Sequence, residues 1–232
     1  MKEMRIEFLV IGILAAAVVG GKLILWPILG DVHFKKALKA ENSLEYEKAE
    51  TEFKMAINYS KNPVYYENLA SMYRTMGEMA KNRQTGREHY EQSVYFYKKL
   101  IQIKPDFAFA YNGLGATCLY IGRDFKDEEF YKSAIFNFQK AIEIEPRFTD
   151  AYVNLATAYY LWGLKEKAVE TYEKALKSNP DSTTILFNLG ILYFSENDFE
   201  QAKKFWNEVL KIAPDNLNAQ KGLEMLAKKE KK

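Results

Sequence analysis

Residues 134–146 read AIFNFQKAIEIEP, residues 168–180 read AVETYEKALKSNP, and residues 202–214 read AKKFWNEVLKIAP. Pro146, Pro180 and Pro214 close these stretches at a constant interval of 34 residues. Each stretch holds a small residue, an aromatic four positions later, and a small or apolar residue three positions after that. These are Ala134, Phe138 and Ala141; Ala168, Tyr172 and Ala175; Ala202, Trp206 and Val209. Steps of four and three put such residues on one face of a helix. Weaker copies stand upstream as Ser93, Tyr97, Leu100, Pro105 and as Ala49, Phe53, Ala56, where Pro63 comes two residues late.

A second pattern precedes each copy. It reads Tyr152, Leu155, Ala156, Tyr159, Gly163, and again Leu186, Leu189, Gly190, Tyr193, Asn197. Upstream it reads Tyr111, Leu114, Gly115, Cys118, Gly122 and Tyr66, Leu69, Ala70, Tyr73, Gly77. The spacing predicts another amphipathic helix, stopped by Gly or Asn, which tolerate the left-handed backbone at a helix end. Ala70, Gly115, Ala156 and Gly190 are small enough to let helices approach closely, and the rings fill the space between layers. The chain of 232 residues is 15% aromatic, so such regular packing places are needed.

These residues resemble the tetratricopeptide repeat (TPR) family, well over 63–216 and weakly over 31–62. The resemblance implies an all-α fold: a right-handed superhelix of about five helix pairs, with a concave groove lined by the first helix of each pair. The repeats then fall at about 31–62, 63–107, 108–148, 149–182 and 183–216, with a capping helix at 217–229. The first copy departs most, with Lys36 and Ala40 where large apolar residues are expected. In the last helix Leu223 and Leu226 face inward, and Lys228, Lys229, Lys231 and Lys232 keep its outside wet. Two copies are enlarged between their helices, by about 78–87 (EMAKNRQTGR) and 123–129 (RDFKDEE). Either the helices lengthen around a solvated turn, or the segments project as docking edges.

The N-terminal thirty residues differ. Phe8–Gly30 reads FLVIGILAAAVVGGKLILWPILG, with Lys22 its only charge. That reaches the ~20 apolar residues that cross a bilayer. Lys22 costs roughly 3 kcal/mol at such depth, less if it snorkels. Trp26 suits the membrane–water interface. The expectation is a transmembrane anchor over 1–30 that stays attached. A cleaved signal peptide, with Ala15 and Ala17 at a small-residue spacing, and a buried helix are the rival readings. A short basic start, with Lys2 and Arg5, places the remainder outside the cytoplasm, on the periplasmic or cell-surface side. The positive-inside count itself does not decide, since Lys35, Lys36 and Lys39 follow the span.

A formal net charge of +2 argues against a nucleic-acid binder. One cysteine excludes an intramolecular disulfide and a Cys-based metal site, and two histidines leave little for acid–base chemistry. There is no phosphate loop, HExxH or nucleophile elbow. Glu128 and Glu129 are adjacent and so diverge on a helix. Cys118 reads as a buried thiol, His33 and His89 as surface residues. The chain is therefore expected to be no enzyme, with no cofactor, no metal and no small-molecule substrate.

The groove carries the functional reading. Its flanking positions are Asn68 and Arg74, then Phe109, Asn112, Leu119 and Tyr120, then Val153, Asn154 and Tyr160, then Phe187, Asn188, Ile191 and Phe194. Most are apolar or aromatic, with Arg74 the one basic candidate. Chaperone-binding members of the family grip a terminal carboxylate with Lys and Arg, which that row lacks. It favours a helical or extended apolar protein segment. Self-association, or packing against the chain's own last helix, is the bland alternative. Asn68, Asn154 and Asn188 offer either a ladder for a ligand backbone or purely local bonds. The whole reads as a membrane-tethered scaffold for assembly or maturation of a membrane or exported complex. A permanent subunit of a membrane complex and a cytosol-facing receptor for targeting sequences are the alternatives.

Overall fold

A computed structural model describes residues 2–229, with side chains from Lys22 onward. Among the described residues there are eleven helices and no strand. They divide into two compact units, Met1–Pro105 and Asp106–Lys232.

The first unit holds α1 (Lys2–Asn42), α2 (Tyr46–Tyr59), α3 (Pro63–Met79) and α4 (Arg83–Ile103). α1 packs along α2 and α3 along α4. Ala37, Ala40, Ala49, Phe53 and Ala56 are buried between the first two helices. Phe34 lies 4.9 Å from the Tyr65 ring and 5.9 Å from Phe53. The inner face of the first copy thus runs through Phe34, Ala37 and Ala40, with Lys36 exposed. Asn62 caps α3 by accepting the Val64 N–H, and Pro63 takes the first turn, where a missing N–H costs nothing. Asn82 caps α4 in the same way, accepting from Gln84.

The second unit holds α5 (Ala108–Phe125), α6 (Glu128–Ile144), α7 (Thr149–Leu161), α8 (Lys165–Ser178), α9 (Thr183–Ser195), α10 (Phe199–Ile212) and α11 (Leu217–Lys229). α5, α7 and α9 each pack on the even helix that follows, α11 packs on α10, and α5, α7, α9 and α11 touch in succession. The repeating aromatics are core residues: Phe138, Tyr172 and Trp206 are all buried. Gly163 and Asn197 turn α7 into α8 and α9 into α10 with positive φ.

Gly77 and Gly122 do not end their helices, contrary to the sequence expectation. A Cβ on Gly77 would stand 2.5 Å from the Tyr90 ring, and one on Gly122 3.2 Å from Tyr131. They serve close approach inside longer helices, and the turn after α5 falls at Lys126 instead, with φ 54°. The two enlarged segments accordingly lengthen helices rather than form loops. α4 has 21 residues and α5 18, against 13 for α7 and 14 for α8.

The expected membrane span falls largely on residues whose side chains lie outside the described ones. Among the described residues no helix is long and apolar enough to cross a membrane. The division expected at residue 30 is not a helix boundary, because α1 passes through Pro27 and Gly30 and continues as the first helix of the first pair. From Gly30 on, α1 is held by the fold. A Cβ there would lie 3.2 Å from the Tyr65 ring.

Candidate functional site

The second unit contains most of the predicted groove residues, on α5, α7 and α9. The consecutive packing of these helices puts their flanking positions side by side. Asn154 Nδ2 donates to Asn112 Oδ1 at 3.0 Å, tying α7 to α5. The Tyr160 hydroxyl donates to Ser195 Oγ at 3.0 Å, tying α7 to α9. Ser195 passes the chain on to the Leu192 carbonyl. These bonds tie polar groups beside the rings to one another.

Burial grades the predicted residues. Phe109 and Ile191 remain 47% and 44% exposed. Leu119, Tyr120, Val153, Tyr160, Phe187 and Phe194 are half-buried. Val153 and Tyr160 lean on the core around Tyr172 and Leu189. Phe187 and Phe194 flank Trp206 at 6.2 and 5.7 Å, in a core that includes Leu226 of α11. Packing against the last helix therefore accounts for part of the α9 row. Phe109 instead joins Phe107 and Phe148, at 5.5 and 4.6 Å.

The asparagines divide. Only Asn154 reaches another helix. Asn188 Nδ2 donates to the Thr184 carbonyl and Asn68 Nδ2 to the Val64 carbonyl, each one turn back at 2.8 Å. A continuous ladder is not formed. Arg74 lies in the first unit, on α3. Its guanidinium is half-buried, 3.6 Å from Glu78 and 3.4 Å from Ser71 Oγ. So placed, it is held by its own helix.

Sequence reasoning missed two cations that approach these rings. Lys229 Nζ lies 5.2 Å over Phe194, and the Arg123 guanidinium 4.7 Å over Tyr120. Both sit on segments treated as solvated ends, and only the path of α11 and the extra turn of α5 bring them in. It also missed a polar set in the first unit. Tyr65 donates to Asp31, and its burial and that carboxylate push the phenol up to about 12. Tyr73 hydrogen-bonds Glu50, and burial followed by that bond raises its phenol. Burial works against the Glu50 carboxylate, but bonds from Lys54 and Tyr73 outweigh it and lower its pKa. His33 is no free surface residue. Its Nδ1 meets Glu52 at 2.6 Å and its ring stacks on Tyr59 at 5.4 Å. No signal of spacing marks these pairs, since their members lie on different helices. Among the described residues no three His, Cys, Asp or Glu side chains gather as a metal site.

A cavity of the second unit lies elsewhere, between α6, α7 and α8. It is about 770 Å³ and is lined by Tyr152, Tyr159, Lys167, Glu170 and Lys174 among others. Lys167 stands over Tyr159, and Gln139 donates to the Tyr159 hydroxyl, so its polar groups serve one another.

Two family models of the tetratricopeptide repeat match the chain, one over residues 149–182 and one over 166–226. No curated protein matches it by sequence. Among solved structures it is similar to a thermophilic TPR protein of Thermus thermophilus, with a TM-score of 0.64 at 19% identity, covering 85% of this chain and 98% of that one. It is similar to MamA (residues 41 to the end) of Desulfovibrio magneticus, with a TM-score of 0.59 at 18% identity, covering 81% and 97%. YrrB, described as a TPR protein with an unusual peptide-binding site, gives a TM-score of 0.53 at 16% identity, covering 83% and 90%. At these identities the likeness shows the fold. Residues 149–226 carry TPR repeats, and the likeness to these structures gives the chain an all-helical, TPR-like fold.

Proposed function

We propose that this chain is a membrane-tethered TPR scaffold that holds an apolar protein segment on the inner face of α5, α7 and α9. Its task is assembly or maturation of a membrane or exported complex, with no catalysis of its own. The observation that carries the groove is the pairing of exposed Phe109 and Ile191 with half-buried rings whose polar neighbours are already bonded to each other. Such a wall gains by burying apolar surface, ~25 cal/mol per Å² before ordering costs. The peptide-binding site named for YrrB supports the class of partner. The tether rests on the sequence of Phe8–Leu29, and with Lys2 and Arg5 before it, partly offset by Glu3 and Glu7, the repeats are proposed on the extracytoplasmic side.

Phe109 and Ile191 are the residues to change, since Tyr160 and Phe187 also hold the core. The Phe109→Ser, Ile191→Ser double variant should keep its helicity and lose capture of the native partner from mild-detergent extracts. Arg74→Ala should retain capture. Capture by the parent chain should weaken little as salt rises. Undiminished capture by the double variant, or its loss in Arg74→Ala, sinks the apolar-groove mechanism.

A further inference from the structure

α1 changes character at Gly30. Positions 22–29 are exposed without a break, and Leu23, Ile24 and Leu25 are 71%, 65% and 57% accessible. Eight consecutive helical positions pass twice round the axis at 3.6 residues per turn. Apart from Trp26, which reaches α2, apolar surface is therefore bare all round the helix, whereas a groove or a second helix covers one side. Hydrocarbon covers all of them. The same run continues upstream in sequence through fourteen uncharged residues, Phe8–Gly21. At 1.5 Å per residue, Phe8–Trp26 measures roughly 29 Å, about the thickness of a bilayer core.

The one charge in that run is already accommodated. Lys22 Nζ lies over the Trp26 ring, 5.1 Å from its centre, so the ammonium is carried along the helix toward the folded domain. Trp26 meets Tyr59, the last residue of α2, edge-on at 6.3 Å. A cation snorkelling onto an aromatic pair belongs at the boundary of hydrocarbon and headgroups. This fixes the level of that boundary on the fold. The chain turns there, between Tyr59 and Pro63, and α3 starts back past Asp31 and Gly30 through Tyr65. The turn exposes Lys61, and Val64 follows it 44% exposed.

We infer that the α2–α3 turn is a phospholipid contact, with Trp26 and Tyr59 at the interface and Lys61 and Val64 among the lipid headgroups. It rests on the tether proposed above and adds to it. Because α1 is one unbroken helix bonded to Tyr65, the contact fixes how the first helix pairs stand on the membrane. A flexible leash would not do so.

The test uses the full chain with Cys118→Ser and one new cysteine, Lys61→Cys, Val64→Cys or Glu47→Cys, labelled with bimane. Each labelled chain is checked for unchanged helicity and reconstituted into phosphatidylcholine–phosphatidylglycerol vesicles. The quencher is phosphatidylcholine with a headgroup nitroxide. Glu47 lies twelve residues before Tyr59 along α2, roughly 18 Å from the turn, so quenching at 61 and 64 should exceed that at 47 by about threefold or more. Equal quenching at 47, 61 and 64, with the chain still floating with vesicles after carbonate, overturns the contact and leaves the tether standing. A chain that does not float with vesicles overturns both. Should the Val64→Cys chain lose helicity, the comparison of 61 with 47 decides alone.

Discussion

At Gly190 a single added carbon has nowhere to go. Its Cβ would stand 2.2 Å from Trp206 Nε1. The indole cannot swing aside. Its Nε1 donates to the Phe187 carbonyl at 3.2 Å, and its other edge faces Gly222, where a Cβ would lie 2.8 Å away. The ring is clamped between α9 and α11. Alanine is the better helix former by about 1 kcal/mol. Overpacking of a close contact costs about 1–3 kcal/mol, and a gap this short lies at the upper end. Gly190→Ala should therefore lower unfolding stability by about 2 kcal/mol net, read by denaturant titration. A midpoint within error of the parent would mean that the ring relaxes and that the clamp is not rigid. This site was visible in the sequence, because a glycine in the small slot and a tryptophan in the aromatic slot leave one way for the helices to meet. The Tyr65–Asp31 and His33–Glu52 pairs were not visible, since nothing in spacing records which polar groups meet across helices.

The turns between paired helices reuse one backbone device with four different residues. Leu44, Lys126, Gly163 and Asn197 all have positive φ, between 54° and 84°. Glycine and asparagine were readable as stops, but leucine and lysine give no such signal. The helix pattern therefore placed the third turn at Gly122, one helical turn too early. The extra residues of α3 to α6 went into helix because Tyr90 and Tyr131 found glycines to pack on. Lys126 sits at φ 54° and ψ 43°, a conformation costing an L-residue roughly 1–2 kcal/mol. Glycine removes that cost but loses more entropy on folding, by about 0.5–1 kcal/mol. Lys126→Gly should thus raise stability by about 0.5–1 kcal/mol, and Gly163→Ala should lower it by about 1 kcal/mol. Thermal melts of the two variants check the pair. A destabilised Lys126→Gly would show that the lysine stem is needed for packing, against the backbone argument.

The two proposed tasks fall on different units of the chain. The proposed lipid contact lies wholly in Met1–Pro105, and the apolar wall of α5, α7 and α9 lies wholly in Asp106–Lys232. The second unit closes its own cores, one around Tyr172 and Leu189, another around Trp206 and Leu226. In a repeat array stability is carried by neighbouring interfaces, and the last helix shields the end of the stack. The 34-residue period made this legible. The continuity of α1 was not, because an apolar span and an amphipathic first helix look like separate segments until Gly30 is seen packed on Tyr65. A chain cut to residues 106–232 should therefore be all-helical by circular dichroism and melt cooperatively. It should still capture the apolar partner and stay off phosphatidylcholine–phosphatidylglycerol vesicles, while the full chain captures the partner and floats with the vesicles. A fragment that melts without cooperativity would show that α5–α11 is not self-sufficient. A folded fragment that fails to capture the partner would move the binding surface into the first unit. A folded fragment that floats with vesicles would transfer membrane attachment to the exposed lysines of α10 and α11, away from α1.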